Sequence, residues 1–96
     1  MGLLGLFRRK QDNTEAARRA RLLRTGRITE GTIFDVGTDE RGAVTHVFYS
    51  YEINSVEYES SQSLDEAQLA RAGDYAPGAR ITIRFDPRQP ANSVVV

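Results

Sequence analysis

Few side chains in this sequence could do chemistry. They are one histidine, His46; two adjacent acid pairs, Asp39-Glu40 and Asp65-Glu66; a tyrosine cluster of Tyr49, Tyr51 and Tyr58; and a run of N-terminal arginines. A histidine acting as general base or metal ligand needs a partner at fixed spacing, and His46 has no Asp-x-His or His-x-x-x-His neighbour. It therefore reads as a partnered or solvent-facing sheet residue. The acid pairs fall in a turn and at a helix start, where carboxylates are favoured for local reasons. The absence of cysteine excludes a disulfide framework, a thiolate metal site and thiol catalysis together. No phosphate-binding Walker loop, dinucleotide fingerprint or nucleophile elbow occurs. The expectation is a protein that is not an enzyme, with no catalytic residue, no cofactor and no metal.

Binding chemistry has more to work with. Tyr49, Tyr51 and Tyr58 could stack bases on a barrel surface, but Glu52, Glu57 and Glu59 are interleaved with them and would repel a phosphate track. Core or cross-strand packing is the favoured reading of these tyrosines, with a nucleic-acid-binding OB-like barrel as the alternative. The net charge of zero hides a split: residues 1–30 hold eight basic and three acidic side chains, a net of +5, and the remainder carries −5. A basic arm before an acidic body points to an anionic partner. Leu3, Leu4, Leu6 and Phe7 precede Arg8, Arg9 and Lys10. That apolar tip is far shorter than the ~20 residues of a bilayer-spanning helix, and its charges follow it where a secretory signal has them first. Leu6 stands where a myristoylation motif wants Ser or Thr. The tip could enter a membrane interface while Arg8, Arg9 and Lys10, with Arg18 and Arg21 behind them, meet anionic headgroups. The competing reading is a tail whose leucines fold back on the domain or on a second subunit.

These residues must be positioned by elements whose signals are local. Asp12-Asn13-Thr14 offers N-cap side chains to a helix from Glu15 to Arg24, with an apolar stripe of Ala16, Ala20 and Leu23 and a left-handed stop expected at Gly26. From Arg27 the residue types become β-branched and aromatic. A first strand covers Ile28–Val36, with Gly31 permitting a bulge. Asp39 to Gly42 is a hairpin connection. A second strand, Val44–Ile53, sends Val47, Tyr49, Tyr51 and Ile53 to one face. Asn54-Ser55 turns into a third strand whose Val56, Tyr58 and Ser60 share a face. Ser63 to Glu66 reads as a capping box starting a short helix that ends at Gly73. Pro77-Gly78 fits a type II turn into a fourth strand, Arg80–Phe85, with Ile81, Ile83 and Phe85 facing one way. The two prolines of Asp86-Pro87-Arg88-Gln89-Pro90 predict an ordered turn before a last strand, Ser93–Val96.

The expected fold is mainly β: a small five-stranded barrel of the OB or SH3 kind, with an N-terminal helix and one short helix between strands 3 and 4. Residues 1–26 form the basic segment and residues 27–96 the barrel domain. Gly31–Val36, then Tyr49–Ile53 with Tyr58 after the turn, and finally Gly78–Pro90, where paired aliphatics and an aromatic run into Asp-Pro and then Pro, together resemble the bacterial family catalogued as domain of unknown function 3592. Members often carry flanking transmembrane helices, so the resemblance implies a β domain near a membrane; it implies no activity and no catalytic residue. The resulting expectation is an interaction module in the cytoplasm, at the inner face of the membrane or on a protein partner, of undetermined oligomeric state.

Overall fold

A computed structural model describes residues 15–96. Residues 15–25 form helix α1. Five strands follow: β1 (Arg27–Thr38), β2 (Val44–Ile53), β3 (Val56–Ser63), β4 (Arg80–Asp86) and β5 (Gln89–Val95). Helix α2 (Glu66–Leu69) and a single 3-10 turn (Ala72–Asp74) lie between β3 and β4. The sheet order is β3-β2-β1-β4-β5, every pairing antiparallel, and β3 comes round against β5 to leave a nearly closed barrel. The mainly-β barrel expected from the sequence is the fold observed.

The period of two in the strands places the core. Val47, Tyr49 and Tyr51 of β2 and Ile81, Ile83 and Phe85 of β4 are buried, with Ile33 of β1 between them and Leu64 and Tyr75 from the β3–β4 connection closing over them. Asn54 and Ser55 both take positive φ, 52° and 69°, the mirror-image turn whose twist matches flanking strands. Gly78 has φ +91° after Pro77, and Ala79 N–H donates to Ala76 O at 2.9 Å to close that turn.

Several local expectations are corrected. Gly31 does not bulge: it pairs with Tyr51 on one side and Ile81 on the other, and the register with β2 shifts instead between Ile33 and Asp35, where Phe34 is thrown outward, and again between Gly37 and Thr38. Glycine is required at 31 because a Cβ there would collide with the Ile83 side chain and lie 2.7 Å from Ser50 O. Gly26 is not among the positive-φ glycines; its amide donates to Leu22 O at 2.8 Å, and a Cβ would sit 2.6 Å from that oxygen. The α2 capping box starts two residues later than expected: Asp65 Oδ1 accepts the Gln68 amide at 2.8 Å and Gln68 Oε1 accepts the Asp65 amide at 3.0 Å. Helix α2 ends at Leu69, and the 3-10 turn carries the chain past Gly73. β5 begins at Gln89, not Ser93, and so contains Pro90. A proline is tolerated there because β5 ends the sheet order, so one side of it makes no ladder.

Candidate anion-binding surface

The seam between β3 and β5 is joined by side chains. Gln62 of β3 accepts the Val95 amide at 2.9 Å, and Gln68 of α2 donates to Val95 O at 3.0 Å. The two buried glutamines also bond each other at 3.3 Å, so every polar atom in the group has a partner. Helix α1 crosses the same seam. Arg18 Nη1 donates to Asn92 Oδ1 at 2.7 Å and to Ser93 O at 3.1 Å, on β5, while Arg19 Nη2 donates to Ser63 O at 3.2 Å, on β3. Glu15 accepts from both arginines, at 2.7 Å and 3.3 Å. The Arg18 hydrogen bond is the chief reason its carboxyl is held below the usual range, with the charges of Arg18 and Arg19 adding to it.

Leu22, at 3% exposure, is the helix residue that is buried, whereas Leu23 is 45% exposed. The expected stripe of Ala16, Ala20 and Leu23 is therefore not what holds α1 to the barrel. The reason is that Arg18, Arg19 and Leu22 share a helix face, and the hydrogen bonds of the two arginines select it over the thin apolar stripe.

Arg18 and Arg21, both singled out in the sequence, separate in role. Arg18 is consumed by the clamp. Arg21 faces outward and lines two adjoining grooves, one with Leu22, Asp86, Pro87 and Arg88, the other with Arg18, Arg24, Gln89 and Asn92. Among the described residues Arg21, Arg24, Arg27 and Arg88 pair with no carboxylate. Asp86 beside them accepts the Arg88 backbone amide at 2.8 Å, which shapes the β4–β5 turn. Arg24 was legible as a partner of Arg18 and Arg21, since residues three apart share a helix face. Arg88, Gln89 and Asn92 reach this end only through the β4–β5 hairpin. The readings placed on Leu3, Leu4, Leu6, Phe7, Arg8, Arg9 and Lys10 lie outside the described residues.

The tyrosines stack along the barrel wall, Tyr49 on Tyr51 with ring centroids 5.9 Å apart and Tyr51 on Tyr58 at 5.6 Å. Tyr49 and Tyr51 are buried, with hydroxyls bonded to Ser93 Oγ and Pro90 O, and only Tyr58 is part-exposed. They do not form a surface platform for bases. Burial pushes the Tyr51 hydroxyl pKa up. Besides Tyr58, solvent is reached by Phe34, half exposed, and by part-exposed Phe48, with ring centroids 6.4 Å apart. His46 is exposed and its Nε2 meets Ser63 Oγ at 2.8 Å, a partnered sheet histidine. On the outer face of β2 and β3, Glu52 stands directly opposite Glu57, a like-charge pair that repels anions as well as itself. Among the described residues no helix is long and apolar enough to cross a membrane, and no three His, Cys, Asp or Glu side chains gather to hold a metal ion.

Comparison with known proteins adds one finding. No curated protein and no solved structure matches the chain. Residues 24–96, which take in the end of α1 and all five strands, match the family described as Domain of unknown function (DUF3592). Arg24 and Arg88 fall inside the matched stretch; Arg18 and Arg21 precede it. The chain therefore belongs to the DUF3592 family.

Proposed function

We propose that this chain is a non-enzymatic barrel module that works by binding, and that its arginine-lined end meets the anionic surface of a membrane. One observation supports this reading above others: Arg21, Arg24, Arg27 and Arg88 gather at one end of the barrel with no carboxylate paired to them among the described residues. Exposed Ile28 and Pro87 line the groove that holds Arg27, so apolar and cationic groups are presented together there, beside the Glu52 carboxylate. In sequence α1 is preceded by Leu3, Leu4, Leu6, Phe7, Arg8, Arg9 and Lys10, a stretch of the same apolar and cationic composition. On this reading residues 1–26 are the attaching segment and residues 27–96 the body, at the inner face of the membrane where anionic lipids concentrate.

Co-sedimentation with vesicles of phosphatidylcholine and phosphatidylglycerol tests the proposal. The full chain should pellet at low salt, a chain starting at Gln11 should pellet less, and R21E/R24E less again. Failure of the full chain to pellet on anionic vesicles would end this reading in favour of a protein partner. A nucleic-acid-binding barrel is disfavoured by the burial of Tyr49 and Tyr51 and by the Glu52–Glu57 face. Salt-dependent retention of single-stranded DNA or RNA is the result that would restore it.

A further inference from the structure

We infer that the groove between α1 and the start of β5 is a binding site for a phosphate monoester dianion. The site is lined by Ala17, Arg18, Arg21, Arg24, Gln89 and Asn92, so among the described residues no carboxylate lines it. Arg21 and Arg24 lie three residues apart on one helix face, and each guanidinium offers a planar fork of donors matched to phosphate oxygens. Arg18 contributes by orienting a third donor. A guanidinium can only donate, so the Asn92 atom it meets at 2.7 Å is the carbonyl oxygen, and Nδ2 is left as a donor with no partner among the described residues. Gln89 adds a further amide. Glu15, the acid of this helix among the described residues, is already occupied by Arg18 and Arg19.

A set made of two guanidiniums and two amides distinguishes phosphate classes. A monoester carries a charge of about −1.5 to −2 at neutral pH and presents three acceptor oxygens. A diester carries one charge and presents two free oxygens, so the same donors make fewer and weaker charge-assisted hydrogen bonds to it. The shared chemistry is the terminal phosphate, which a lipid headgroup such as phosphatidic acid or a small soluble phosphate can supply. This deepens the membrane reading and rests on it only for the lipid-borne form.

The experiment compares the full chain on phosphatidylcholine vesicles containing phosphatidic acid with vesicles containing phosphatidylglycerol, at fractions chosen to give the same zeta potential. The expected result is tighter binding to the monoester by about tenfold, the factor one charge-assisted hydrogen bond supplies. Titration calorimetry with glycerol 3-phosphate in the absence of lipid separates the sources. Heat of binding there identifies a soluble phosphate as a ligand of the groove, and a monoester preference seen only on vesicles identifies the lipid. Asn92→Asp keeps an acceptor for Arg18, and so the fold, while replacing the Nδ2 donor with a negative charge; it should abolish the preference and leave the melting temperature unchanged. Arg24→Gln should reduce it as well. Equal binding to the two vesicle types with no heat from glycerol 3-phosphate overturns the inference while sparing the anionic-surface reading. Binding to neither type, again without heat, overturns both. A preference that survives Asn92→Asp and Arg24→Gln overturns the assignment to this groove.

Discussion

Gln62 Oε1 accepts the Val95 backbone amide at 2.9 Å across a seam where no strand ladder runs. The bond is one of a set: Gln68 takes the Val95 carbonyl, and the Asp65 capping box holds Gln68 in place. Two glutamine side chains thus do for β3 and β5 what backbone pairing does for the other strands. Replacing Gln62 by Leu strands a buried N–H, and the cost of such a group is about 1–3 kcal/mol. Urea unfolding should show a loss of that size, with faster hydrogen exchange at Val95; unchanged exchange there would contradict the role given to Gln62.

The attachment of α1 gives a paired prediction. Leu22 is buried and Leu23 is not. Leu22→Ala should cost about 2–3 kcal/mol, near the low end for a buried leucine because the helix can settle. Leu23→Ala should cost within about 0.5 kcal/mol, the usual range for exposed positions. Thermal unfolding followed at 222 nm measures both. If Leu23 proves the costlier of the two, the helix seats on the stripe of Ala16, Ala20 and Leu23 after all.

Glycine at 31 is a packing requirement. A Cβ there would meet the Ile83 side chain and lie 2.7 Å from the backbone oxygen of Ser50, whereas one at Gly73 would meet nothing within 4 Å. Gly31→Ala should destabilise by at least the 1–3 kcal/mol typical of overpacking, since backbone as well as side chain must move. Gly73→Ala should be neutral or stabilising by up to about 1 kcal/mol. Melting temperatures of the two variants check the contrast.

Tyr51 ties stability to alkaline pH. Burial raises its pKa above the ordinary value near 10, so at high pH the unfolded chain loses this proton before the folded one does. The stabilisation it contributes is therefore complete below about pH 10 and is lost as pH rises through the folded-state value. Stability measured from pH 9 to 12 should fall, and Tyr51→Phe should flatten part of that slope while losing the bond to Pro90 O. An identical slope in the variant would place the titration elsewhere.

What the sequence disclosed divides by the range of the interaction. β2 and β4 were legible almost residue by residue, because strict alternation of Val47, Tyr49 and Tyr51, or of Ile81, Ile83 and Phe85, depends only on the pleat. Both turns at Asn54-Ser55 and Pro77-Gly78 follow from the φ those residues tolerate. Apart from the α2 cap and Gly26, the choices that failed were tertiary. Leu22 won over Leu23 because Arg18 and Arg19 find acceptors on β5 and β3. The bulge settled at Phe34, since Gly31 is needed to admit Ile83. Pro90 could join a strand because that strand lies at the end of the sheet order. Of the candidate surface, Arg18 and Arg21 were visible as part of a basic run, while Asn92 had no local signal: its amide is set by an arginine 74 positions away.

The outer side of β5 has a consequence for how copies of this chain meet at high concentration. A border strand ordinarily presents bare amides and carbonyls on which a neighbouring molecule can lay its own strand. Here the Ser93 carbonyl is taken by Arg18, both polar groups of Val95 by glutamines, and the Pro90 carbonyl by Tyr51, while Pro90 brings no amide at all. With these groups occupied, copies concentrated side by side find little on β5 to template fibril growth.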